Sequence, residues 1–274
     1  MGEAKNRQAL RREFFAQHAM CIFCGGEERA ITEDHIPPRS LFRERKWPEG
    51  YVFPACMRCN QASKDDENFL AAVLRLTLQE PDKLDRRELR KHLDAARNNF
   101  PLALASLRMN TFEKRSALRK HGLQWREGRT ASGFPMFKLE GTVLTSINRF
   151  MFKLGCALHY KYIGKPLSIN GFITSEFRTN VANYVQPIPE SILALAPELS
   201  NPKRNQKPLA DQFTYRFDFN PKIESGVFIC IIRKSFYITL LTIGRPSLLG
   251  ENSIVADGPS DLTIEIFLQS AHNG

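Results

Sequence analysis

Two C-x-x-C pairs, Cys21/Cys24 and Cys56/Cys59, lie about 30 residues apart in the first quarter of a 274-residue chain. Thiols at this spacing converge on one ion, and two such pairs supply the four tetrahedral ligands of a structural zinc site. An ion held this way staples two remote pieces of chain, which constrains the fold around it. Four thiolates also close the coordination shell, so the expected zinc is structural. The remaining cysteines, Cys156 and Cys230, sit alone in apolar runs and read as small buried hydrophobes. The N-terminal stretch lacks the apolar core of a secretory signal, so a reducing, cytoplasmic setting is expected. There paired cysteines bind metal rather than forming disulfides.

Charge points to the same region. The chain carries a net +10, and residues 1–130 hold 25 Lys+Arg against 18 Asp+Glu. That leaves an excess of only 3 for residues 131–274. The basic half suits a polyanionic partner. With 42% hydrophobic and 25% charged residues, the composition is that of a globular chain and excludes disorder. No run approaches the roughly 18–20 apolar residues of a membrane span.

The periodicities predict an α+β protein: a zinc-stapled finger, helices, then a C-terminal helix with antiparallel strands. A basic helix is expected from Glu3 to His18, and a short strand over Ala30 to Pro38, ended by Pro37 and Pro38. Tyr51 to Ala55 forms an apolar run, and helical pattern starts at Asn60. Asp82 caps the next helix, and another runs from Leu102 to His121, stopped by Gly122. A linker and domain boundary are expected at Gly128 to Gly133. The organisation is therefore 1–80 (basic helix and finger), 81–130 (helical extension) and 131–274 (α+β domain). Val143, Leu144, Ile147, Phe150, Met151, Leu154 and Leu158 predict a helix over Thr142 to Ile163, closed by Gly164. Strands are expected at 213–219, 227–232, 236–243 and 262–268, after loops over 186–211.

Within the loop between the knuckles stands Asp34-His35, and Asn60 follows the last cysteine. A zinc ion joining the knuckles brings these together near the start of the helix. Asp34 and Asn60 are hard oxygen ligands that suit Mg²⁺ or another divalent cation. Strand alternation turns His35 the other way, beside the ion rather than on it.

The segment C-x-x-C, D-H-I-x-P, P-x-C-x-x-C-N resembles the HNH, or ββα-metal, endonucleases, in the branch whose finger is held by four cysteines. It is most similar to the phage enzymes that resolve Holliday junctions, where Asp and Asn replace the more usual histidine ligands. The MGEAK start and the C-x-x-C-N…S-x-D-D-E run also resemble bacterial HNH proteins. The likeness covers about residues 18–75 and the first few residues. It implies structural zinc on Cys21, Cys24, Cys56 and Cys59, and a catalytic divalent ion on Asp34 and Asn60. His35 is implied as the general base for the attacking water, giving 5′-phosphate and 3′-hydroxyl products on DNA, with RNA left open. The segment departs from the pattern in two places. No Asn falls between Glu49 and Tyr51 to orient the histidine, and Lys64 stands where some relatives have a second helix histidine.

Arg39, Arg58 and Lys64 are candidate phosphate contacts, weighed against a solvated face. Asp65, Asp66 and Glu67 suit the first turn of a helix capped by Ser63. The basic face of Arg86 to Arg97 is interleaved with Asp85, Glu88 and Asp94 and reads as helix surface. His18, His92, His121, His159 and His272 carry no motif and are not read as ligands. The alternatives to a metal-dependent endonuclease are a zinc-stapled nucleic-acid-binding module without cleavage and a protein-interaction component.

Overall fold

The structure, a computed structural model, describes residues 2–78, 81–120, 122, 136–179, 187–248 and 264–266. Helix α1 (Gly2–Gln17) leads into an antiparallel hairpin of β1 (Thr32–His35) and β2 (Val52–Ala55). Its register pairs Thr32 with Ala55 and His35 with Val52. The second knuckle opens α2 (Met57–Gln61), three residues earlier than the helical pattern implies, because Cys56 caps it by accepting from the Cys59 N–H. Helix α3 (Lys64–Leu76) follows and buries Phe69, Leu70, Val73 and Leu74.

Asp82 caps α4 (Lys83–Asn99) as expected, its side chain accepting from the Asp85 N–H at 2.8 Å. The helix predicted over Leu102 to His121 is broken into α5 (Pro101–Ser106) and α6 (Thr111–Lys120). Asn110 and Glu113 explain the break, because each side chain accepts from the other's backbone N–H, at 2.9 and 2.7 Å. This reciprocal pairing starts a new helix. His121, the linker Gly128 to Gly133 and the boundary placed there lie outside the described residues.

Helix α7 (Thr142–Ile163) matches the predicted span, and Gly164 closes it with φ +79°, the left-handed C-cap. Its stripe Val143, Ile147, Met151, Leu154 and Leu158 is buried, at roughly 1.5–3 kcal/mol for each large side chain removed from water. A helix packs this close to a sheet only where a side chain is absent. A Cβ on Gly155 would stand 2.9 Å from Ile173 Cδ1.

That sheet has six antiparallel strands in the order β10-β3-β9-β8-β7-β4. The ranges are β3 (Phe172–Thr179), β4 (Glu198–Ser200), β7 (Phe213–Asn220), β8 (Ser225–Ile232), β9 (Phe236–Ile243) and β10 (Ile264–Ile266). Strand β3 was not among the predicted strands. The expected strand at 262–268 is described only at Ile264–Ile266. The expected loop over 186–211 also holds a one-turn helix α8 (Glu190–Ala194) and a small hairpin, β5 (Lys203–Arg204) and β6 (Lys207–Pro208).

One hydrophobic core joins the finger to the sheet: Ile22 and Phe53, Leu70 of α3, Leu154 of α7, and Tyr215 and Phe228 belong to the same cluster. A Tyr51–Tyr215–Tyr162 hydroxyl chain, at 2.7 and 2.8 Å, ties the same parts together. Asp85 and Glu88 of α4 are not surface partners of its basic face. Asp85 is buried between Arg43, at 2.8 Å, and Arg233, and Glu88 binds the buried Arg75 at 2.7 Å. Among the described residues no helix is long and apolar enough to cross a membrane.

Candidate metal centre and the adjoining cleft

The four cysteine sulfurs of the two knuckles lie within 4.8 Å of one another. A tetrahedral zinc ion with bonds of about 2.3 Å sets its sulfurs about 3.8 Å apart, so a small closure completes the site. The donor chemistry agrees with the geometry. The Cys59 thiol donates to Cys21 and draws it down to about 5, against burial. Cys59 is pushed far up, first by that same bond and then by burial. Burial is the main cause raising Cys24 and Cys56, Cys56 to about 11. Four thiols this close cannot all ionise unless a cation joins them. The cluster can therefore hold a metal ion such as zinc. Arg58 braces it from outside, pairing with Glu28 of the first knuckle at 2.7 Å.

Asp34 and His35 leave β1 on opposite faces, as a strand requires. Asp34 is only 4% exposed and faces inward. Its carboxylate is ion-paired with Lys153 of α7, itself buried. The same ammonium donates to Ser63 Oγ at 2.7 Å, stands 3.8 Å from Glu67 Oε1 and lies 4.9 Å from the Phe23 ring. Burial, then the neighbouring Asp34 charge, push Glu67 up to about 7. Ser63 makes no cap bond; its hydroxyl donates to Glu67 instead. Asp66 is also turned inward, accepting from Ser146 at 2.7 Å and Arg149 at 2.8 Å. Helix-dipole residues at a solvated N-terminus, as expected for Asp66 and Glu67, are thus charge partners of α7.

Asn60 approaches β1 from α2, and its Nδ2 donates to the Glu33 carbonyl at 3.4 Å. The divalent ion expected on Asp34 and Asn60 does not fit this arrangement. Lys153 already supplies the positive charge at the buried Asp34, while the bond from Asn60 uses only Nδ2 and leaves its Oδ1 unengaged among the described residues.

His35 faces outward into an open cleft of about 580 Å³. Arg7, Arg11 and Arg39 line it, with Glu33 as its acidic member. The imidazole stands edge-to-face with Trp47, ring centroids 4.8 Å apart. The Trp47 ring in turn carries two guanidinium groups, Arg39 at 4.3 Å and Arg204 at 4.2 Å. Burial, followed by the charges of Arg39, Arg45 and Arg204, drives His35 down to about 4. The ring is therefore neutral at pH 7, with a lone pair free to take a proton.

Of the candidate phosphate contacts, Arg39 sits in the cleft, Arg58 is engaged with Glu28, and Lys64 is exposed at the start of α3. Sequence reasoning missed Lys153 and Arg204 as members of this site. Lys153 lies at a position of α7 where the apolar stripe predicts burial, and a lysine there was the available signal. Comparison with protein-family models, curated proteins and solved structures finds no match for the chain.

Proposed function

We propose that the protein is a nucleic-acid hydrolase of HNH type, with His35 as the general base for cleavage of a phosphodiester bond. One observation carries this: a single imidazole on the floor of an open cleft lined by Arg7, Arg11 and Arg39. The arginines hold the phosphodiester and offset the charge that builds on its non-bridging oxygens as water attacks phosphorus and the bond to the 3′ oxygen breaks, that oxygen leaving to take a proton from solvent. His35 takes the proton from that water. Its basicity is low first because the ring is buried and then because Arg39, Arg45 and Arg204 act on it. A bound phosphate opposes the arginine part of that shift, so the base strengthens somewhat when substrate is present. DNA is the expected substrate, and the expected products are a 5′-phosphate and a 3′-hydroxyl.

A plasmid-nicking assay with and without Mg²⁺ or Mn²⁺ tests the assignment. Wild type should nick and His35→Ala should not. A requirement for the divalent ion would mean that Lys153 has to leave Asp34 during turnover.

The Asp34–Lys153 pair favours a second reading, a binding module without cleavage, because it neutralises the carboxylate that the metal-dependent mechanism needs. Wild type and His35→Ala that bind DNA equally and are equally inert across metals and substrates would establish it.

A further inference from the structure

The β5–β6 hairpin belongs to the C-terminal half in sequence but to the cleft in space. Its turn residues Asn205 and Gln206 both have positive φ, 48° and 62°, the geometry of a two-residue hairpin turn matched to strand twist. Three backbone-level bonds dock it on the loop that carries Trp47. The Glu49 N–H donates to the Lys203 carbonyl at 2.9 Å, and the Asn205 N–H donates to Glu49 Oε1 at 3.0 Å. Arg204 Nη1 donates to the Trp47 carbonyl at 3.1 Å while its guanidinium lies over the Trp47 ring. The charge of Arg204 reaches His35.

A hairpin this short is held in place by such anchoring, and its composition is one-sided. Lys203, Arg204 and Lys207 fall within five positions, and the nearby acid, Glu49, is engaged by the hairpin backbone. Lys203 and Lys207 are exposed, and among the described residues no carboxylate oxygen lies within 4.0 Å of either ammonium. Arg204 and Lys207 are register partners, so their side chains leave the same face of the ribbon. That face is the one turned toward Trp47. Positive charge therefore continues from Arg7, Arg11 and Arg39 in the cleft, through Arg204, onto Lys207.

We propose that the β5–β6 hairpin is a second contact for the nucleic-acid backbone, holding phosphates that flank the one presented to His35. This assigns a task to residues of the C-terminal half and rests on the nucleic-acid reading above. Arg204 has two duties in it, holding Trp47 and facing the strand, and Lys207 supplies added charge on the same face, while Lys203 leaves the opposite face of the ribbon.

The test is the salt dependence of binding. Each phosphate neutralised contributes about 0.9 to the slope of log affinity against log salt on duplex DNA. Binding of a fluorescein-labelled duplex of about 20 base pairs is followed by anisotropy from about 50 to 200 mM salt, in the His35→Ala background to prevent cleavage. Lys207→Gln should reduce the slope by about 1 and Lys207→Arg should restore it, while Lys203→Gln, on the opposite face, should change it by less than about 0.5. Arg87→Gln on α4 removes the same charge elsewhere and should leave the slope within about 0.5 of the starting value. An unchanged slope in Lys207→Gln overturns the assignment, as does an equal loss in the α4 variant, which would mean that only total charge matters. If the parent protein binds neither duplex nor single-stranded nucleic acid, the functional reading itself fails, and the hairpin assignment with it.

Discussion

Replacing Lys153 by Met isolates the buried charge cluster. Methionine keeps an apolar stem of similar length beside Phe23 but removes the ammonium that faces Asp34, Ser63 and Glu67. Both partners of the pair are more than nine-tenths buried, so solvent does little to screen the loss. Removing one member of such a pair leaves a carboxylate without its counter-charge, at a cost of about 3–5 kcal/mol. For a chain of this size that corresponds to a fall in Tm of about 10 °C. The assay is urea and thermal unfolding of protein kept saturated with zinc, so that metal loss does not confuse the transition. The double variant Asp34→Asn/Lys153→Met removes both charges and should recover at least about 2 kcal/mol relative to the sum of the single losses. A loss below about 1 kcal/mol in Lys153→Met, or strictly additive effects in the double variant, would refute the idea that the two charges hold each other in place.

Cys56→Ser should lose the metal and unfold the finger, because ligation at such sites supplies folding free energy directly; metal quantification and circular dichroism read both. Asp34→Ala should retain zinc, and loss of zinc would show that Asp34 and the cysteines do not form separate sites. Trp47→Ala should lower kcat/KM about 10- to 100-fold, since the indole stands against the imidazole and carries Arg39 and Arg204; an unchanged kcat/KM would count against this. Burial drives His159 down to about 4, against 6.5 in an unfolded chain. The unfolded state therefore binds the proton first on acidification, and the contribution is complete above about pH 6.5 and lost as pH falls toward 4. One such group costs about 2 kcal/mol between pH 7.5 and 5, and His159→Leu should lose that part of the pH dependence in urea titrations.

The parts of this molecule that follow from short-range chemistry were legible. Two C-x-x-C pairs impose convergence on one point, and the sulfurs of Cys21, Cys24, Cys56 and Cys59 do converge. The stripe from Val143 to Leu158 has helical period and ends at a glycine, and α7 spans Thr142–Ile163 as those signals require. Alternation over Phe213 to Ile243 placed three strands of the sheet within two residues of their ends. Where local signals compete, legibility fell. The Asn110–Glu113 pairing split a run that composition alone reads as one helix, and β3 alternates too weakly to stand out beside its Ser, Thr and Glu.

The site divides along the same line. Residue types and spacing determined that four thiols, a carboxylate and an imidazole would meet around one hairpin, and strand alternation determined that Asp34 and His35 would part. Tertiary structure alone decided their partners. Lys153 reaches Asp34 from a helix far along the chain, and Arg204 reaches Trp47 from a hairpin beyond it. A buried charge takes whichever counter-charge the packing of remote elements brings within a few ångströms. That is a property of the core shared by finger, α7 and sheet, and no local pattern encodes it.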